Sequence, residues 1–185
     1  MTIFSIPCSA DVFRAKLESM RPRLYRMAYS WSHNVAIADD IVQDTLIKAL
    51  KGIGDLRDPA QLHSWLFAIL ANCWHDHFRK HREMDDIDEL EDFHCAHEVT
   101  PEDEHARSQL VVRVRNAVAK LPIAQRQVLM LVDLEEFAYA EVAAILAIPV
   151  GTVMSRLCRA RQTLKQLLSE LAPQSVPATH LRRVV

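Results

Sequence analysis

Apolar residues recur at helical spacing along most of the chain, which predicts an all-α protein. Three helices are expected in the first half: residues 11–32, residues 37–50, and a third that begins after Asp58-Pro59. Pro22 lies inside the first and is expected to kink or divide it, since proline lacks a backbone N–H. The predicted inward positions are Val12, Phe13, Leu17, Met20, Leu24, Met27 and Ala28, then Ile41, Val42, Leu46, Ala49 and Leu50, then Trp65, Leu66, Ile69, Leu70 and Cys73.

Helical periodicity resumes near Arg107 and leads into a segment, 139–161, with the pattern of a helix-turn-helix. Residues 148–150 interrupt the pattern, because Pro149 disfavours a helical residue before it. The apolar face of the first short helix comprises Val142, Ala143, Leu146 and Ala147, and that of the second comprises Val153, Leu157, Ala160 and Leu164. Thr152, Ser155, Arg156 and Arg159 lie off the second stripe. Such side chains suit base edges and phosphates, although an ordinary amphipathic helix with a solvated basic side has the same pattern.

An acidic stretch separates the two helical blocks. Residues 84–105 contain ten Asp and Glu and no Lys or Arg. So polar a segment buries too little apolar surface to offset the entropy of ordering, and a flexible linker is predicted. The predicted organisation is a first domain at 8–83, the linker at 84–106, a second domain at 107–172 and a tail at 173–185.

The formal net charge of −2 over 185 residues is unusual for a protein that binds DNA alone. The low net charge can be explained by an uneven distribution of charge along the chain. Basic residues near the C-terminus would face DNA, and the acidic linker offsets their charge in the total. The chain has no apolar run approaching the roughly 20 residues of a membrane span and no recognisable signal peptide. Its four cysteines form no CxxC pair, so reduced thiols and a cytoplasmic protein are expected.

Four segments together resemble the extracytoplasmic-function (ECF) sigma factors of the sigma-seventy family. They are ADDIVQDTLIKAL (38–50), HSWLFAILANCWHDHFRK (63–80), LPIAQRQVLML (121–131) and IPVGTVMSRLCRAR (148–161). The resemblance covers roughly residues 10–170. It implies two small helical domains, sigma region 2 and sigma region 4, joined by the acidic linker. It also implies an alternative sigma factor that binds RNA polymerase core and directs promoter-specific transcription initiation without catalysing a reaction.

The resemblance further implies three sets of contact residues. Helix 38–50 would bind the clamp helices of the polymerase's largest subunit through Asp39, Asp40, Gln43 and Asp44. The segment 60–80 would read the minus-ten element through Gln61, His63, Ser64, Trp65, Asn72, Arg79 and Lys80. The helix-turn-helix would read the minus-thirty-five element through Thr152, Ser155, Arg156 and Arg159, with Arg161 on the DNA backbone. The residues at 73–75 depart from the family pattern and leave the minus-ten preference open.

The expected partners are RNA polymerase core, promoter DNA and an anti-sigma factor, which in this family is often membrane-attached. No cofactor, metal, small-molecule substrate or membrane insertion is expected. A free-standing helix-turn-helix regulator is the alternative, although it would not explain the acidic helix 38–50. Two weaker readings are a metal phosphohydrolase, suggested by His75-Asp76, and a soft-metal site, suggested by His94, Cys95 and His97 with His105.

Overall fold

The computed structural model describes residues 10–56, 58–84 and 107–170, and the regular structure in these ranges is entirely helical. Two short 3-10 turns, Ile53–Asp55 and Pro59–Gln61, connect the second helix to the third. The α-helices are α1 (Ala10–Ser32), α2 (Val35–Lys51), α3 (Leu62–Met84), α4 (Arg107–Ala119), α5 (Ile123–Asp133), α6 (Tyr139–Leu146) and α7 (Val150–Glu170). The all-α prediction is confirmed. The predicted linker and tail, and with them the His94-Cys95-His97 cluster, lie almost wholly outside the described residues.

Helices α1 to α3 pack together as the first unit. Asn34 caps α2, because its side-chain oxygen accepts a hydrogen bond from the Ile37 N–H at 3.1 Å. Trp31 of α1 and Trp74 of α3 meet edge to face with ring centroids 5.7 Å apart. The helix α1 continues through Pro22, which is exposed, so the carbonyl that the proline ring leaves without a partner can face water.

Helices α4 to α7 form the second unit, which ends in the predicted helix-turn-helix. Helix α7 is turned 103° from α6 across the three residues between them, within the range of this motif. Ala147 ends α6 in the left-handed conformation, with φ of 52°, and the Ile148 N–H returns to the Ala143 carbonyl. Along α7, Val153, Leu157 and Ala160 are buried and Leu164 is half-buried, as the periodicity predicts.

Three predicted inward residues are exposed instead. Val12 and Leu50 are 54% and 44% exposed, and each lies in a terminal turn of its helix. In both helices the apolar spacing extends into a terminal turn that does not pack against the rest of the protein, so these two side chains remain exposed. Ala147 is exposed because it caps α6 rather than forming part of its apolar face.

The two units are in contact. Helix α1 packs against α5, and α3 packs against α6. The buried apolar side chains consequently form one continuous cluster that includes residues from both units. In the described part of the chain, no single helix is long and apolar enough to cross a membrane; α6 and α7 pass that test of length and composition only as a pair, bent by 103°.

Candidate nucleic-acid interface

The outer face of α7 presents the row of polar residues predicted from the sequence. Ser155 and Arg159 are exposed, while Thr152 and Arg156 are half-buried at the edge of the apolar stripe. The Ser155 hydroxyl donates to the Thr152 carbonyl at 3.1 Å, one turn back. This face can therefore offer two guanidinium groups and two hydroxyls to a groove of DNA.

Arg161, at the end of the predicted recognition segment, is paired with a carboxylate of the protein. Its Nε lies 3.3 Å from Oδ2 of Asp133, the last residue of α5. Both side chains are about half-exposed, so the pair contributes little to stability. Asp133 engages Nε and Nη2 of Arg161, so a phosphate would approach through Nη1 or displace the carboxylate.

Part of the predicted minus-ten set lines an open cleft of about 560 Å³ between α2 and α3. Trp65, Asn72 and Arg79 contribute to its wall, together with Ile69. An indole face and an apolar side chain can stack against an unpaired base, and an Asn amide can both donate to and accept from a base edge. The cleft thus combines the features that recognition of an unstacked base requires.

The sequence did not predict that Lys48, Asp76 and Arg79 form one charged cluster at this cleft. Asp76 accepts from Lys48 Nζ at 3.0 Å and from Arg79 Nη2 at 3.1 Å. The hydrogen bond to Asp76 is the main reason that the pKa of Lys48 is raised, so this amine stays charged. Two cations against one carboxylate leave the mouth of the cleft with excess positive charge, which suits a phosphate.

The phosphohydrolase reading finds no support in this arrangement. Asp76 is engaged by two cationic side chains, and His75 is exposed beside it. Among the described residues, no group of three or more His, Cys, Asp or Glu side chains could hold a metal ion.

The remaining minus-ten candidates lie just before α3, in its first turn or near its C-terminal end. Gln61 is exposed at the end of a 3-10 turn that Asp58 caps, through a 2.9 Å hydrogen bond from the Ala60 N–H. The Ser64 hydroxyl donates to the Gln61 carbonyl at 3.1 Å. Lys80 lies near the C-terminal end of α3.

His63 is set apart from the cleft because it faces the second unit. Its Nε2 lies 3.2 Å from Oε2 of Glu135, and its ring packs against Phe137 with centroids 4.6 Å apart. Burial lowers the pKa of His63, and the positive charge of Arg23 lowers it further, while Glu135 and Glu141 act in the opposite direction. The imidazole is therefore favoured in its neutral form.

The predicted polymerase-binding residues form an exposed face of α2. Asp39, Asp40, Gln43 and Asp44 are all exposed. Asp40 and Asp44 stand one helical turn apart, as do Asp39 and Gln43. No described residue forms an ion pair with these carboxylates, so their charge is available to an external partner.

Comparison with known proteins gives this geometry its context. The family model for Sigma-70 region 2 matches residues 17–84, and the model for Sigma-70 region 4 matches residues 112–164. The ECF RNA polymerase sigma factor EcfG of Rhodopseudomonas palustris is 36% identical over 160 residues, covering 85% of this chain and 86% of that protein. The ECF RNA polymerase sigma factor SigM of Mycobacterium tuberculosis is 34% identical, covering 80% and 73%.

A solved structure agrees with these relatives. The sigma factor RpoE of Bartonella quintana, determined in complex with the anti-sigma factor NepR, is 32% identical, with a TM-score of 0.70 over 85% of this chain and 96% of that one. The chain belongs to the ECF RNA polymerase sigma factors of the sigma-70 family. It accordingly binds RNA polymerase core and directs promoter-specific initiation of transcription.

Proposed function

We propose that this sigma factor divides its work among the three surfaces described above: the acidic face of α2, the cleft between α2 and α3, and the polar face of α7. The observation that carries the proposal is the cleft, where an indole, an amide and excess positive charge meet at one opening. The protein acts by binding and positioning, without a catalytic step or a cofactor of its own, and works in the cytoplasm.

The acidic face of α2 binds RNA polymerase core. Its carboxylates, Asp39, Asp40 and Asp44, are exposed together with the Gln43 amide. An acidic face of this kind complements a basic helical surface, and complementary charge sets the orientation and speed of docking. The partner surface in the family is the clamp helices of the largest polymerase subunit.

The cleft and the adjoining turn read the minus-ten element. Trp65 offers a stacking surface and Asn72 the hydrogen bonds to a base edge, whereas Arg79 and Lys80 hold phosphates. Gln61, His63 and Ser64 extend this surface around the start of α3. Reception of an unpaired base also holds the strands apart, which is how the protein would assist melting.

The polar face of α7 reads the minus-thirty-five element in the major groove. Ser155 and Arg159 stand at its centre, and Thr152 and Arg156 flank them. Arg161, whose Nε and Nη2 are hydrogen-bonded to Asp133, contacts the DNA backbone.

An anti-sigma factor controls the protein. The support is the relative from Bartonella quintana, whose structure includes the anti-sigma factor NepR. CnrH, 26% identical with a TM-score of 0.61 over 88% of this chain, was likewise solved in complex with the cytosolic domain of CnrY.

Reconstitution tests the proposal. Purified protein is mixed with bacterial core RNA polymerase, co-elution is measured, and transcription starts are mapped on genomic DNA. We expect co-elution and discrete new starts. Reversing two charges on α2, by Asp40→Arg with Asp44→Arg, should weaken co-elution at least tenfold, because attraction becomes repulsion.

A matched control reverses two exposed acids elsewhere, Glu18→Arg with Glu136→Arg, which changes net charge equally. This control should still co-elute. Equal retention of both double variants would remove α2 from the interface. Sequence-specific DNA binding by the protein alone, with no co-elution, would instead favour a free-standing regulator.

A further inference from the structure

The outer surface of α7 carries a row of exposed apolar side chains beside its polar ones. Val150 is 42% exposed and Met154 is 53% exposed, and Cys158, one turn further on, is exposed as well. These three residues are spaced four apart, so their side chains follow one another along a single line on the helix surface. The row is separate from the buried stripe of α7, which runs through Val153 and Leu157.

This apolar row lies among the residues proposed to contact DNA. Ser155 stands three residues before Cys158 and Arg161 three residues after it, and side chains at this spacing are neighbours on a helix. Ser155 and Arg159 are proposed to meet base edges, and Arg161 the phosphate backbone; the assignment of these contacts to α7 rests on the proposed function. A duplex that touches both sides would cover Met154 and Cys158 between them and remove them from water.

The chemistry of the major groove decides what an apolar row can meet there. Most groups on the base edges are hydrogen-bond donors or acceptors, and the apolar group is the C5-methyl of thymine. An apolar side chain that covers a donor or acceptor strips away its water without replacing the hydrogen bond, which is unfavourable. Against a methyl group, the same side chain makes close contact and removes apolar surface from water.

Met154 is the member of the row best placed to reach a base. In a helix-turn-helix, residues near the N-terminus of the second helix contact the base edges. Val150 is the first residue of α7 and Met154 lies one turn on, whereas Cys158 lies a further turn away. Val150 has a short branched side chain, whereas that of Met154 is unbranched and adapts its shape to the surface it meets.

We propose that Met154, with Val150 beside it, receives the C5-methyl group of a thymine in the minus-thirty-five element and so contributes to the choice of promoter. The polar residues of α7 hydrogen-bond to base edges and phosphates, and Met154 adds an apolar contact that selects for one methyl group.

Removal of a single methyl group from the DNA tests this contact. Holoenzyme is assembled from the full chain and core polymerase, and its affinity is measured for synthetic duplexes of a promoter found by mapping transcription starts. In each duplex one thymine of the minus-thirty-five region, on either strand, is replaced by deoxyuridine, which differs from thymidine only in lacking the methyl group. We expect one position at which this replacement weakens binding about fourfold, the effect of returning one buried methyl group to water. Synthetic DNA contains no methylated cytosine, so thymine is the only source of the C5-methyl group.

Substitution of Met154 provides the other half of the test. Met154→Ala should bind the thymine duplex about fourfold more weakly and should no longer distinguish thymine from uracil at the sensitive position. Met154→Leu, which stays apolar and similar in size, should keep that distinction. Because Met154 is more than half exposed, neither change should unfold α7. Gln166→Ala, exposed in the same row more than three turns further on, is the matched control and should behave as the parent protein does.

The outcomes distinguish the methyl contact from the proposed function. If scrambling the whole minus-thirty-five region leaves binding unchanged, α7 does not read that element, and both the proposed function of this face and the methyl contact are wrong. If binding depends on the element but no thymine is sensitive to loss of its methyl group, the methyl contact alone is wrong. The same conclusion follows if Met154→Ala remains as sensitive to uracil as the parent protein.

Discussion

At the scale of single residues, Arg126 is a buried arginine surrounded by backbone carbonyls. It is only 8% exposed, and its guanidinium donates to carbonyls at the ends of two helices. These acceptors are Val118, Ala119 and Leu121 in and after α4, and Ser30 and Trp31 in α1. Carbonyls in the last turn of a helix lack intrahelical partners and carry partial negative charge, which a buried cation neutralises.

We therefore predict that Arg126→Gln lowers the free energy of unfolding by about 2–4 kcal/mol, since several buried carbonyls lose a charged donor. Urea denaturation followed by circular dichroism measures this change. Arg115→Gln, an exposed arginine on α4, is the control and should cost less than about 0.5 kcal/mol. A similar loss in both variants would show that Arg126 does not cap these helices.

The sequence could not predict this role. Arg126 stands within a helical segment whose pattern marks its apolar neighbours as core, and an arginine there gives no sign of burial. Its acceptor at Trp31 is 95 residues away in the chain. The buried ion pair of Glu135 could not be predicted for the same reason, because its partner Arg23 is 112 residues away in the chain. Such pairs arise from packing between elements, and a periodicity of 3.6 residues carries no information about them.

At the scale of elements, the periodic spacing of apolar residues was sufficient to predict where the helices lie. The first two predicted helices, 11–32 and 37–50, differ from α1 and α2 by at most two residues at either end. The break at Pro149 and the buried stripe of α7 were also readable, since they depend on backbone chemistry and on local spacing. Which exposed side chains on that helix meet DNA depends on an absent partner, and stays a prediction.

For α7 we predict that Arg156→Ala reduces transcription from promoters that depend on a minus-thirty-five element about tenfold or more, because one base-edge contact contributes roughly 1–3 kcal/mol. Co-elution with core polymerase should not change, since α2 is untouched. Gln166→Ala, exposed on the same helix more than two turns further on, is the matched control. If Arg156→Ala kept full activity, recognition of the minus-thirty-five element would have to depend on other residues of the helix.

At the scale of the whole molecule, the decisive feature is that two separately recognisable domains share one core. The patterns that identified each unit come from local sequence, and the matches to region 2 and region 4 are likewise separate. Their contact is visible only in three dimensions, where α6 covers part of α3. The start of α3, where His63 packs against Phe137, is thus part of the contact between the two units.

Acidification should open this arrangement. His63 faces Arg23 of α1, Glu135 of the loop before α6, and Glu141 of α6, and its pKa in the closed form lies below the ordinary value of 6.5, chiefly because of burial. An open form with a solvated imidazole binds a proton more tightly, so a fall in pH through 6.5 stabilises the open form relative to the closed one. The distance between nitroxide labels at Cys158 of α7 and at Glu18→Cys of α1, with Cys8 and Cys95 changed to serine, is recorded by pulsed electron resonance. It should lengthen between pH 8 and pH 5.5, and His63→Gln should abolish that dependence. If the parent protein closed further on acidification, attraction between the imidazolium and Glu135 would outweigh burial and the repulsion from Arg23.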